Sequence, residues 1–327
     1  MPPSAASGDA IQRLRLAFQA AFFVLFVVAP VFDLFRYDLT RGHAVFLGFE
    51  WRLGIDEFLT GRIGAAQAGI DILLRLFLPI FAVAALFLAV AWRWGRLYCG
   101  WLCPHFSVVE TLNRLMRRAS GKPSLWERKP LPPRNPDGGV FKVDARWWLA
   151  VVPLAVAFAF VWAVALLTYL LPPVEVYGNL FSLSLTRNQA LFIGVGTLVF
   201  TLEFLFARHL FCRFGCAVGL FQSLAWMANR GAMVVGFERA RAADCADCYA
   251  ADGPGFAACE GVCPMRLRPR VVKHKMFTCT QCGQCIAACG TVERNRPEGT
   301  LLRWVDKDAA RRNEAQVSLT GRRDEEI

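Results

Sequence analysis

Histidine is scarce in this chain, with four in 327 residues. His43, His105, His209 and His274 all fall outside the long apolar runs, and no C-x-x-C-H occurs. Neither a membrane haem b nor a haem c is therefore supported. No cysteine is left over from a motif, which argues against the paired, disulfide-framework pattern of a secreted domain. Acidic side chains are also few, 26 against 37 lysines and arginines, giving a net charge of +11. Such a balance can signal nucleic acid, but no aromatic–basic RNA-binding motif is present and the arginines flank apolar runs instead. No A-x-A-like cleavage site follows the first of those runs, so Arg13 and Arg15 head an uncleaved helix rather than a signal peptide.

What the chain has in excess is apolar surface. Hydrophobic residues make up 55% of it, with 27 phenylalanines, too much for an ordinary soluble domain of this length. Four runs approach the ~20 residues that a helix needs to cross a bilayer: 16 to about 35, 72 to about 94, about 147 to 171, and about 189 to 207. Asp71 and Arg75, one turn apart, are placed to pair at the mouth of the second. Residues 36–71 alternate without a clear period, and their aromatics suit a membrane interface. Glu203 falls inside the fourth run, where a carboxylate is a functional candidate or a snorkelling group. The loop between the second and third runs is rich in lysine and arginine, while Arg187 is the only basic residue between the third and fourth. That asymmetry puts both chain ends and the basic loop in the cytoplasm. Residues 217–237, interrupted by Asn229, Arg230 and Gly231, read as an interfacial stretch rather than a fifth span.

The twelve cysteines carry the chemistry. Eight lie in two runs: Cys245-x2-Cys248, an insertion, Cys259-x3-Cys263-Pro264, then Cys279-x2-Cys282-x2-Cys285-x3-Cys289. A cubane cluster needs four thiolates from a tightly turning backbone, and x2 spacings supply three from one loop. Zinc knuckles are spaced more widely and need no third cysteine at x2. Where two such runs occur together, the last cysteine of each closes the other cluster. That rule assigns Cys245, Cys248, Cys259 and Cys289 to one [4Fe–4S] cluster, and Cys279, Cys282, Cys285 and Cys263 to the other.

The remaining cysteines form two C-x3-C pairs, Cys99/Cys103 and Cys212/Cys216, each just after an apolar run. On a continuing helix, residues four apart share a face, so each pair would present two thiols together. Three uses stay open: a soft metal such as Cu(I), a further cluster, or dithiol–disulfide cycling. Small apolar packing is the plain alternative. His105 and His209 adjoin the pairs as candidate extra ligands or proton carriers.

The motif Gly95-Arg96-x2-Cys99-Gly100-x2-Cys103-Pro104, the second pair and the two-run ferredoxin together resemble the membrane polyferredoxins. The FixG/CcoG cytochrome oxidase accessory branch is the nearer one, and the NapH quinol dehydrogenase components form a neighbouring branch. The chain departs from the FixG/CcoG pattern at Ala217, where the family has proline, at Gly290, and in stopping soon after the ferredoxin runs, where that family continues into a β-sandwich. The first branch implies copper reduction or delivery during oxidase assembly; the second implies electrons passed from quinol.

These readings predict an α-helical integral membrane protein of about four spans with a C-terminal α+β two-cluster ferredoxin-like domain. The expected parts are an N-terminal tail (1–15), a membrane domain (16–240), the ferredoxin-like domain (241–305) and a polar tail (306–327). The expected function is electron transfer at the bacterial inner membrane between the ferredoxin module and a thiol, metal or quinone site. A redox partner or respiratory complex subunit, quinone, copper and membrane lipid are the expected partners, and nucleic acid is not. The rival from another class is a non-redox copper-binding assembly scaffold.

Overall fold

The computed structural model describes residues 6–122, 124–125, 130–131, 135–140, 142–207, 210–245, 248 and 257–320. It is mostly helical, and four helices are long and apolar enough to cross a membrane: Gly8–Val28, Ala65–Trp94, Ala145–Thr168 and Arg187–Phe206. Their exposed leucines, isoleucines and phenylalanines, among them Leu78, Ile80, Phe81 and Leu86, leave an apolar surface that water would not tolerate. The chain is a multi-pass membrane protein.

In chain order, α1 (Ala6–Val28) stops before Pro30, seven residues short of the expected end, and the chain turns into strands β1 (Phe35–Asp38), β2 (His43–Phe46) and β3 (Phe49–Trp51). Then come α2 (Ile55–Leu59), α3 (Ala65–Trp94), α4 (Leu97–Trp101) and α5 (Pro104–Ser120). Helix α6 (Trp148–Thr168) is followed by α7 (Pro173–Phe181), with Pro173 at its first position, where proline's missing N–H costs nothing. Helix α8 (Arg187–Leu202) starts with a capping box: Gln189 N–H donates to the Thr186 hydroxyl and Thr186 N–H to the Gln189 side chain. The rest is α9 (Ala217–Ala228), β4 (Val234–Phe237), a single turn α10 (Ala258–Gly261), α11 (Gln284–Val292), β5 (Leu302–Val305) and α12 (Lys307–Thr320).

The structure divides into two compact units. One comprises Phe22–Phe87 and Pro153–Phe204. It holds the antiparallel sheet β1-β2-β3, which the irregular sequence of residues 36–71 did not reveal. Tyr37 and Leu39 N–H groups donate to the Tyr169 and Leu170 carbonyls, so the sheet edge is tied to the end of α6. Asp38 accepts from Arg36, Thr40 and Arg41; burial pushes its carboxyl up, but these donors outweigh it and bring it to about 2. Asp71 and Arg75 pair at 3.6 Å. Glu203 opens a π-helical turn, Glu203–Ala207, and is half-buried.

The other unit comprises Met1–Ala21, Leu88–Val152 and Leu205–Ile327, and carries all twelve cysteines. Its two-stranded sheet pairs β4 with β5, Val234 opposite Val305 and Phe237 opposite Leu302. Strand alternation divides β4 between two cores: Val235 and Phe237 pack with Leu301 and Leu302, Val234 with Trp226, Val271 and Met276. Two sequence readings are corrected here. The basic stretch after Cys103 is not a loop throughout, because α5 buries Phe106, Val109, Leu112, Met116 and Ala119 along one face. The polar segment after Val305 is not a free tail either: α12 docks by Ala310, and the Asn313 side-chain oxygen accepts from Phe237 N–H.

Candidate iron–sulfur centre

None of the twelve cysteines is in a disulfide. Cys279, Cys282, Cys285 and Cys263 line one enclosed apolar cavity, floored by Val235, Met265 and Met276. Cys245, Cys248, Cys259 and Cys289 line a second, under Phe237, Leu301 and Leu302. Helix α11 carries one cysteine to each, Cys285 and Cys289, four residues or about 6 Å of rise apart. The insertion between Cys248 and Cys259 lies outside the described residues except for its last two.

The donor sets suit a cubane. Burial pushes the Cys279 thiol up to about 12 and Cys263 up to about 11, and raises Cys259 and Cys285 well above the usual thiol value. Four thiolates in so dry a pocket need the positive charge of iron to stay ionised. The backbone supplies N–H groups to the sulfurs, Ala258 to Cys248 at 3.1 Å and Leu267 to Cys263 at 3.4 Å, and Arg270 approaches Cys245 at 3.7 Å. Among the described residues no three His, Cys, Asp or Glu side chains converge tightly enough to hold a single metal ion.

The C-x3-C pairs are not on continuing helices. Cys99 sits in α4, which ends at Leu102; Cys103 is the N-cap of α5, with Pro104 starting that helix. Cys212 sits in a π-helical turn, Phe211–Gly215, and Cys216 is the N-cap of α9. Each pair therefore straddles a helix break, and its second sulfur faces a fresh helix N-terminus, where Gly219 N–H donates to Cys216 Sγ at 3.5 Å. Such an end favours a thiolate. Burial nonetheless pushes Cys103 up to about 12, against the N–H groups of Phe106 and His105. Cys99, Cys103 and Cys216 feel one another's charge, and the His105 ring lies edge-on to Phe211 with centroids 5.4 Å apart, so the two pairs meet. His209 lies outside the described residues.

Several residues that the sequence reading passed over organise this region. Arg96, 2% exposed, donates to the Cys212 carbonyl at 2.7 Å; burial pushes the Cys99 and Cys279 thiols up, and the Arg96 charge opposes that rise at both without cancelling it. A side chain at Gly219 would collide with that guanidinium. Gln222 Nε2 donates to Cys99 Sγ at 3.5 Å. The turn of residues 279–282 is clamped by Trp101 Nε1 to the Gln281 carbonyl (3.0 Å), Trp304 Nε1 to its side chain (3.2 Å) and Gln12 Nε2 to the Cys282 carbonyl (2.9 Å). Arg15, 1% exposed, donates to the Gly100 carbonyl at 2.7 Å and pairs with Glu110, which also accepts from Arg114 and Gln284. Burial pushes the Glu110 carboxyl up, but the two arginines outweigh it and hold it below the usual range. Arg15 is thus a core residue rather than only a topology signal. The i, i+3, i+7 spacing of Gln12, Arg15 and Gln19 on an otherwise apolar helix was the available clue.

Gly100 brings the two cysteine systems into backbone contact, since a Cβ there would overlap the Thr280 carbonyl and crowd Cys282 N. Backbone on both sides leaves no flexible atom to yield. Gly100→Ala is therefore expected to destabilise the protein by about 1–3 kcal/mol, read as a lower temperature for bleaching of the cluster absorbance. Bleaching at the wild-type temperature would show that this approach is looser than it looks.

A family described as a 4Fe-4S binding domain matches residues 74–123 and 188–231, the two segments that contain the C-x3-C pairs. The chain is 25% identical to YccM of Escherichia coli (strain K12), whose name assigns it to electron transport, over 81% of this chain and 63% of that one. It is 25% identical to the uncharacterized protein MJ0750 of Methanocaldococcus jannaschii over 86% of this chain and 93% of that one. It is 31% identical to the regulatory protein NosR of Pseudomonas aeruginosa over 55% of this chain and 21% of that one. The chain thus spans less than two thirds of YccM and about a fifth of NosR. No solved structure matches. The chain is thus similar to iron–sulfur proteins, among them one whose name assigns it to electron transport.

Proposed function

We propose that this protein is a relay in the bacterial inner membrane, passing single electrons between two [4Fe–4S] clusters and a third iron–sulfur centre at its membrane-helix ends. The observation that carries the reading is the contact of Gly100 and Trp101, beside Cys99 and Cys103, with the turn that bears Cys279 and Cys282. When bound, each cluster supplies a one-electron centre. Cys245, Cys248, Cys259 and Cys289 hold one, Cys263, Cys279, Cys282 and Cys285 the next, and Cys99, Cys103, Cys212 and Cys216 the third. The match of a 4Fe-4S family to both C-x3-C segments supports the third assignment. The Arg96 charge acts on Cys99 of the third site and on Cys279, and offsets negative charge at both, while Trp101, Trp304 and Gln12 hold the turn that bears Cys279 and Cys282. The lysine and arginine asymmetry places the clusters and both termini on the cytoplasmic side, where thiolates stay reduced.

Iron, acid-labile sulfide, copper and zinc per chain on anaerobically purified protein test this directly. About twelve iron and twelve sulfide are expected. About eight of each, with copper bound and lost on Cys99→Ser/Cys212→Ser, would replace the third cluster with a copper site. Zinc without sulfide would overturn the relay.

A further inference from the structure

The two cluster cavities differ in what faces their thiols. Around Cys263, Cys279, Cys282 and Cys285 the wall is mostly apolar, and among the described residues no charged side chain lines it. The cavity of Cys245, Cys248, Cys259 and Cys289 admits a guanidinium. Arg270 lies in its wall, 8% exposed, with Nη1 donating to Cys245 Sγ at 3.7 Å. Glu293, also charged and on that wall, pairs with Arg296.

The other end of Arg270 is fixed. Its Nη2 donates to Glu260 Oε1, and Glu260 is equally buried, at 8% exposure. A guanidinium is a rigid planar fork, so holding one nitrogen on a carboxylate aims the other. Glu260 follows Cys259 on α10, which ties both members of the pair to one ligand set. Burial pushes the Cys245 and Cys248 thiols up, and the Arg270 charge opposes that rise at both. Burial also pushes Cys259 up, and there the Glu260 charge adds to the rise. The pair is neutral in sum, so it acts as a dipole of short reach with its positive end on a sulfur. Adding an electron makes a cluster more negative, and a donor on a ligating sulfur stabilises that state. Hydrogen bonds to sulfur and local charge are among the factors that set such potentials.

We infer that the buried Arg270–Glu260 pair sets the reduction potential of the cluster held by Cys245, Cys248, Cys259 and Cys289, with Arg270 raising it and Glu260 lowering it. Both roles rest on the assignment of those four thiolates to one cluster of the relay. The step they govern is one-electron reduction of that cluster, with the neighbouring cluster oxidised by one electron and no bond formed or broken.

An anaerobic redox titration of the full, cluster-loaded chain, followed by low-temperature EPR, reads the midpoint of each cluster. The signal that Cys245→Ser removes identifies the one in question. Arg270→Gln should lower its midpoint by a tenfold or larger change in the reduction equilibrium, ~59 mV per tenfold for one electron. Glu260→Gln, which keeps an amide oxygen for Nη2, should raise it. The cluster of Cys263, Cys279, Cys282 and Cys285 should keep its wild-type midpoint in both variants. Shifts of opposite sign distinguish charge from loosened packing, which would move both variants alike. A wild-type midpoint in either variant at full iron content would overturn the inference, as would shifts of the same sign. Should Arg270→Gln lose iron, Arg270→Lys, which keeps the cation but not the fork, is read in its place: a midpoint below wild type sustains the role of Arg270, and an unchanged one overturns it. Zinc without sulfide in wild type would defeat the relay itself, whereas unmoved midpoints in iron-loaded variants defeat only the role of this pair.

Discussion

Cys289→Ser is expected to remove about four iron per chain, and the cluster lost is the one held by the first cysteine run, not by the run in which Cys289 sits. Cys285 and Cys289 share α11, yet their sulfurs line different cavities, Cys285 with Cys263 and Cys289 with Cys245. Ligands of one cluster fail together, so the variants combine in a characteristic way. Cys245→Ser/Cys289→Ser should lose no more iron than either single change. Cys245→Ser/Cys263→Ser should lose about eight, and should abolish the magnetic coupling between neighbouring reduced clusters. The opposite pattern, with Cys285→Ser and Cys289→Ser removing the same signal, would return each run to its own cluster and defeat the crossed assignment.

Glu110→Gln should be the most damaging change away from the cysteines. It leaves Arg15, 1% exposed, with a buried charge and no carboxylate. Breaking a buried pair from one side costs about 3–5 kcal/mol, and here Arg114 loses the same negative charge while Gln284 is left to share a single amide oxygen. The expected readout is a large drop in the temperature at which the cluster absorbance bleaches, since Arg15 also holds Gly100. Arg15→Met/Glu110→Met should recover much of the loss, because no uncompensated charge remains. The pH dependence follows from the direction of the shift. A carboxyl held below its unfolded value contributes stability that is present at neutral pH and is lost as pH falls through its folded pKa. Wild type should therefore weaken in acid below the ordinary carboxylate range while Glu110→Gln changes less there. Equal bleaching temperatures for the two at neutral pH would refute the role given to this pair.

The amino-acid sequence by itself determined the spans and the donor inventory. Twenty apolar residues in a row can satisfy their backbone only as a helix in lipid, so composition and length suffice there. Thiols at x2 spacing in a soluble run have few uses, so the two cysteine runs were legible one residue at a time. The strands β1 to β3 were not, because the interfacial alternation of residues 36–71 does not separate a buried face from a lipid-facing one. The burial of α5 was hidden by its arginines Arg114, Arg117 and Arg118, which share the helix with a covered apolar face.

Only the tertiary structure decided what meets what. That Gly100 touches Thr280, that the Arg96 charge reaches Cys279, and that Glu110 gathers Arg15 and Gln284 are contacts across separations of about a hundred to nearly two hundred residues. Local pattern carries no signal for such contacts, because spacing reports only what one element presents and not which element faces it. The helix break at Cys216 belongs to the same class, whereas the one at Cys103 was legible, because Pro104 keeps the residue before it out of the helical region. At Cys216, which alanine and not proline follows, the four-residue spacing is equally compatible with a continuing helix.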